Sequence, residues 1–220
     1  MTILLIQFVW QILIGLLYLA GGAAIGLGVA FVGSVFDKTD DVKLAVLGRS
    51  QTGKTLLFKA LTNKWDGVQT SNTNIETNIE EIQSFEYIFS DGKKLFFSST
   101  KDIGGTSSYI PLYKELIESS THIFYFCNIY DYLNDLQVRR EDNMRLDLIY
   151  DYANGKMIPS ENVTLVLSYA DNFQNRNSAV KDFYKMLSDK KYGKYFSHVY
   201  PINMTNKNEV DKFIDKAFKH

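Results

Sequence analysis

The residues with the clearest chemical meaning stand together: Gly48-Arg49-Ser50-Gln51-Thr52-Gly53-Lys54-Thr55. They fit G-x-x-x-x-G-K-[ST], the pattern of a phosphate-binding loop. The chemistry requires backbone N–H groups curled around the β- and γ-phosphates of a nucleotide, with glycine where the backbone must come close. Lys54 sets a cation on those phosphates, and Thr55 offers a hydroxyl to Mg²⁺. The apolar run Val42 to Leu47 precedes the loop and a helical stretch from Lys54 to Thr62 follows it. That helix would aim its N-terminus at the anion, so the motif has the strand–loop–helix setting it needs.

Three further segments belong with this loop. Asp102-Ile103-Gly104-Gly105 stands at the end of a strand-like run. A carboxylate there can hold Mg²⁺ through water, and the Gly105 N–H can meet a γ-phosphate. Ser168-Tyr169-Ala170-Asp171 follows the strand-like run Val163–Leu167, at the place of a guanine-reading N/T-K-x-D motif. Asp171 can accept two hydrogen bonds from the guanine N1 and N2 groups, or simply cap the next turn. Tyr169 can stack on the base in place of a lysine stem. Asn203-Met204-Thr205 falls where a backbone N–H would meet the guanine oxygen. Between loop and strands, Val68 to Thr77 offers the hydroxyls of Thr70, Ser71, Thr73 and Thr77, one of which can complete the Mg²⁺ shell when a γ-phosphate is present.

The elements that must position these residues are legible from Asp40 onward. Ile79–Phe89 and Lys94–Ser99 read as strands around Asp91-Gly92, a hairpin signal. Ile110–Ser119, Leu136–Tyr152, Ala179–Asp189 and Glu209–Phe218 read as helices. His122–Ile129, Val163–Leu167 and Val199–Ile202 read as strands, the first of them continuously apolar and aromatic, as in a buried parallel sheet. Alternating strands and helices predict an α/β domain over residues 40–220, with a mostly parallel six-stranded sheet. Phe124-Tyr125-Phe126 and Cys127 are expected in its core. Arg139-Arg140 reads as an exposed helix pair.

The chain has 220 residues, with 24 Lys+Arg against 25 Asp+Glu and a net charge of -1, so it lacks the basic excess of a nucleic-acid binder. One cysteine excludes an internal disulfide framework, and three histidines argue against a His-rich zinc site. From Ile3 to Phe36 there is no Asp, Glu, Lys or Arg. A helix needs about 20 apolar residues to cross a bilayer, and a cleaved leader has a basic start and an apolar stretch of about 7–15 residues. Residues 3–36 are therefore expected to be a single-pass transmembrane anchor, either one tilted helix or a chain broken near Gly21-Gly22. Gly22-Ala23-Ala24-Ile25-Gly26 has G-x-x-x-G spacing, which permits close helix approach and also occurs by composition alone. Lys38, Lys43 and Arg49 follow the span, which places the domain in the cytosol by the positive-inside tendency. The sequons at Asn162 and Asn203 are then chance matches.

With these residues in view, the chain resembles the small GTPases of the Arf, Sar and signal-recognition-particle-receptor-β group, and within it the receptor β subunits. The apolar span directly before the domain carries the likeness, together with Gly53-Lys54-Thr55-Leu56-Leu57-Phe58, Leu61-Thr62 and Gln69-Thr70-Ser71, the last at the place of the first switch. The resemblance implies a small-G-protein fold, GTP/GDP and Mg²⁺ as ligands, and Ser71 as a metal ligand beside Thr55 and Asp102. It implies a switch at the endoplasmic reticulum membrane whose GTP form docks the receptor's α subunit in co-translational protein targeting. The family's second switch usually carries Gln or His after D-x-x-G, where Gln orients the attacking water. Here Thr106 stands in that catalytic place alongside Lys54, and hydrolysis is expected to be slow. Two other readings stay open: a scaffold that keeps its nucleotide without cycling, or a divergent bacterial membrane GTPase. An ATP-using P-loop enzyme is a third class, and it would want a further catalytic base or an arginine lid.

Overall fold

The computed structural model describes residues 41–65 and 79–218. The expected membrane segment 3–36, and the loop containing Ser71, lie outside them. Among the described residues no helix is long and apolar enough to cross a membrane.

Strand β1 (Leu44–Gly48) is buried at every position and leads into helix α1 (Lys54–Leu61). Two short strands, β2 (Glu80–Ile82) and β3 (Phe85–Ile88), run out to a turn, and β4 (Lys94–Phe97) and β5 (Thr100–Asp102) run back. There follow α2 (Ile110–Ser119), β6 (His122–Asn128), α3 (Ile129–Asn134), α4 (Leu136–Gly155), β7 (Val163–Ser168), α5 (Arg176–Ser188), β8 (His198–Pro201) and α6 (Lys207–Phe218). Among the described residues β1, β6, β7 and β8 form a four-stranded parallel sheet in the order β1-β6-β7-β8.

Side-chain alternation along these strands builds two cores. Ala45, Leu47, Ile123, Tyr125, Cys127, Leu165 and Leu167 face α2, α3, α4 and α5 through Ile117, Tyr132, Ile149 and Phe183. Leu44, Val46, Phe124, Phe126 and Val166 face α1, α6 and the hairpin through Leu57, Phe213 and Phe97. Strands covered on both faces must be apolar at both parities, which explains the unbroken run in β6. The result is a three-layer α/β/α arrangement.

Among the described residues the expected six-stranded sheet is not formed; the parallel sheet has four strands. The hairpin exists, closed through Gly92 at φ 83°, but it pairs as two separate antiparallel ladders, β3 with β4 and β2 with β5. Among the described residues its backbone pairs with the strand leading into β1 at Val42, whose N–H donates to Phe96 O (2.9 Å) and whose carbonyl accepts from Ser98 N–H (3.0 Å). The breaks fall at Gln83-Ser84 and Ser98-Ser99, polar residues with little to bury. Just beyond, the Thr100 hydroxyl donates to Leu44 O at 2.8 Å, so a side chain takes the bond that a ladder N–H would have made.

The short helix α3 has no counterpart in the sequence reading. It starts where Asn128 Oδ1 accepts from Asp131 N–H (3.2 Å), and Asp135 then caps α4 through Gln137 and Val138.

Candidate functional site

The loop 49–53 leaves the C-terminal end of β1, the edge of an open parallel sheet where ligands gather. Gly53 adopts φ 102°, a left-handed conformation, and a Cβ there would lie 2.7 Å from Met204 Cγ. Its glycine identity is thus set by both backbone and packing. Gln51 is also left-handed (φ 61°), which curls the loop. The Thr52 hydroxyl and Lys54 Nζ both donate to Arg49 O at 2.8 Å, so they staple the loop's two ends together. Lys54 is buried, and α1 carries no acidic residue in its first turn. Below, the Tyr113 hydroxyl accepts from Gly48 N–H at 3.2 Å.

The D-x-x-G segment reaches this loop as its spacing suggests. The Thr55 hydroxyl donates to Asp102 Oδ2 at 2.7 Å. These two oxygens suit a hard divalent cation such as Mg²⁺ at the mouth of the cradle. Gly105 lies against the loop itself: a Cβ built on it would fall 1.8 Å from Ser50 N and 2.0 Å from Arg49 C. Only a residue without a side chain fits. Thr106 is half-buried, and its hydroxyl shares a 2.6 Å hydrogen bond with Ser108.

On the other side of the loop, Tyr169 is left-handed (φ 60°) and donates its hydroxyl to Gln51 O at 3.0 Å. The phenol therefore ties the β7–α5 connection to the phosphate loop. Burial, with the nearby charges of Asp131 and Asp171, raises its pKa above the ordinary tyrosine value. Ser168 is buried and turns its hydroxyl back into the sheet, donating to Cys127 O at 3.4 Å. Asp171 sits exposed in the following turn. The Asn203 N–H donates to Glu209 Oε2 (3.0 Å), itself paired with Arg176 (3.1 Å). Met204 is buried against Gly53. The structure thus gathers residues 48–55, 102–106, 169 and 204 at one end of the sheet. Ser71 lies outside the described residues.

One group escaped the sequence reading. Glu141, Asp142 and Arg145 of α4 look like solvated helix charges, yet Asp142 and Arg145 are 0% and 2% exposed. They share the face of Val138, Leu146 and Ile149, and that periodicity was the available signal. Of the Arg139-Arg140 pair, Arg140 is exposed, whereas Arg139 is half-buried and its Nη1 donates to Met186 Sδ at 3.5 Å. Glu141 pairs with Arg49 Nε at 3.3 Å, and Arg145 Nη2 donates to Gly105 O at 3.3 Å.

Asp142 accepts from the Tyr125 hydroxyl (2.5 Å) and from the Cys127 thiol (3.7 Å). Burial pushes its pKa up to about 6, against the opposing pull of Tyr125, Arg49 and Arg145. Burial likewise raises the Cys127 thiol well above its usual value, so that thiol is a packing group rather than a nucleophile. The native state holds the Asp142 proton more tightly than the unfolded chain, whose carboxyl titrates near 3.8. This group's contribution is therefore complete below about pH 4 and is lost as pH rises to about 6, by up to roughly 3 kcal/mol. Asp142→Asn, which keeps the shape and an acceptor for Tyr125, is expected to remove that dependence. Urea unfolding at pH 4.5 and pH 7 should show the variant gaining on the wild type at the higher pH.

No family model and no curated protein matches this chain by sequence. Among solved structures, the bacterial selenocysteine-specific elongation factor EF-Sec matches with a TM-score of 0.52 at 15% identity, over 81% of this chain. The chain spans 28% of the length of that protein. The likeness is one of fold: the described residues share with part of that elongation factor an α/β arrangement around a four-stranded parallel sheet.

Proposed function

We propose that this chain is a guanine-nucleotide switch anchored in a membrane, acting with Mg²⁺ and docking a protein partner in its GTP form. One observation carries the reading. The segment 102–105 touches both the hydroxyl that would bind Mg²⁺, through Asp102, and the edge of the phosphate cradle, through Gly105. A terminal phosphate arriving there must act on that segment, which is how such loops report the γ-phosphate. The fold shared with EF-Sec agrees with this. Asp171 and the Met204 N–H would read the base, since the Asn203 N–H is taken by Glu209. Lys54 would neutralise the β- and γ-phosphates, and Thr55, Asp102 and Ser71 would hold the ion.

The charge-free stretch Ile3–Phe36 supports the anchor, with residues 40–220 in the cytosol. By resemblance the membrane is the endoplasmic reticulum and the partner is the α subunit of the signal recognition particle receptor. Alkaline carbonate should leave the full chain in the membrane pellet; its release would remove the anchor from the account.

A second reading, a nucleotide-bound scaffold that does not cycle, has a specific observation in its favour. Thr106 stands where a water-orienting glutamine would, and its short hydroxyl is bonded to Ser108. The two readings differ in turnover. Single-turnover phosphate release from GTP by the full chain in vesicles is expected to be slow but abolished by Lys54→Ala. Release no faster than in the Lys54→Ala control, with or without added membrane fraction, would favour the scaffold.

A further inference from the structure

Arg145 is an expensive residue to keep where it is. Its side chain is 2% exposed, and among the described residues neither Nε nor Nη1 has a hydrogen-bond partner. Nη1 lies 3.6 Å from the partly solvated Glu141 carboxylate, and the buried Asp142 carboxylate and the Tyr113 hydroxyl also act on the guanidinium. Burying a charge with its donors incompletely satisfied costs stability, and an apolar side chain of similar volume often serves a core better. Packing of α4 asks for no charge here beyond a partner for the buried Asp142. The hydrogen bond it does make, Nη2 to Gly105 O at 3.3 Å, falls on the glycine that rests against the Arg49–Ser50 peptide. Glu141 closes the circuit by pairing with both Arg145 and Arg49, the first variable residue of the phosphate loop. One face of α4 thus holds both sides of the same contact, loop and glycine.

We infer that Arg145 is the positioning residue of the D-x-x-G glycine: it holds Gly105 at the rim of the cradle, and it transmits the state of that contact to α4. The inference rests on the guanine-nucleotide reading of the site and adds the group that makes the site sensitive to the third phosphate. A diphosphate does not reach the glycine, so its binding does not depend on Arg145. A triphosphate does, and without Arg145 it must order Gly105 itself.

The test is calorimetric titration of the full chain in detergent micelles with Mg²⁺, using GDP and a non-hydrolysable GTP analogue. Arg145→Met fills the same volume without charge, and Arg145→Lys keeps the charge without the fork. A hydrogen bond to a charged group supports an expected fall of tenfold or more in analogue affinity relative to GDP for Arg145→Met. A fall of about threefold is expected for Arg145→Lys, because a lysine is a point charge on a different reach. Amide exchange at Gly105–Tyr109 should be slowed by the analogue in the wild type and not in Arg145→Met. An affinity ratio unchanged from wild type, or a loss shared equally by both nucleotides, overturns the inference and leaves Arg145 a structural residue. If Arg145→Met does not fold, the ratio measured for Arg145→Lys decides in the same way. Failure of the folded wild type to bind either nucleotide would remove the reading of the site itself, and the inference with it.

Discussion

Lys54→Ala is expected to weaken nucleotide binding about a hundredfold while leaving the free protein as stable as before. The two effects have one cause. Lys54 is a buried cation at the N-terminus of α1, the positive end of a helix dipole, in a first turn with no acidic residue. Without a ligand that position works against the helix by about 0.3–1 kcal/mol. Its hydrogen bond to Arg49 O offsets part of this. With phosphates in the cradle the same cation makes charge-assisted bonds of about 1.5–3 kcal/mol each, and one of them near the top of that range gives the stated loss. Calorimetry for affinity and urea unfolding for stability measure the two halves separately. A residue kept only for the fold would show the reverse pattern, with stability falling and affinity following it.

Gly105→Ala is expected to be the most disruptive single methyl group in the described residues. The added carbon would meet Ser50 N at 1.8 Å and Arg49 C at 2.0 Å, both backbone atoms of the phosphate loop. Neither is the end of a flexible side chain, so the D-x-x-G segment must withdraw. Overpacking of this kind costs about 1–3 kcal/mol if the segment stays. Withdrawal relieves that strain and takes Gly105 away from the place of the terminal phosphate. The variant should therefore keep GDP affinity near wild type and lose GTP affinity at least tenfold. Gly155, with nothing within 4 Å of an added Cβ, is the control: Gly155→Ala should change neither. Equal loss of both nucleotides in Gly105→Ala would mean that the glycine shapes the loop and senses nothing.

The path from sequence to site was uneven for physical reasons. The phosphate loop was legible because its chemistry fixes residue types locally: strand, glycine turn, Lys54, Thr55 and helix lie within one short stretch. The parallel strands were legible because burial on both faces leaves no polar alternation, as in Ile123 to Cys127. The continuity of the hairpin with the sheet was not, because it turned on whether Ser98, Ser99 and Thr100 would spend their hydrogen bonds on a ladder or on a side-chain contact to Leu44. The α4 cluster was missed because Asp142 and Arg145 carry the charge of surface residues at core positions. Their pairing with Tyr125 and Gly105 is a contact over long sequence separation that local patterning does not contain. Tyr169 occupied the place of a lysine, and its reach to Gln51 O is a property of the fold rather than of the motif.

Titration of the full chain with GTP, GDP and ATP in the presence of Mg²⁺, repeated with Asp171→Ala, decides whether the cradle belongs to a guanine-nucleotide switch. Both guanine nucleotides are expected to bind at least a hundredfold more tightly than ATP, and Asp171→Ala is expected to remove most of that preference while the phosphate-dependent part of the affinity remains. Tight binding of ATP, or guanine preference untouched by Asp171→Ala, would contradict that assignment.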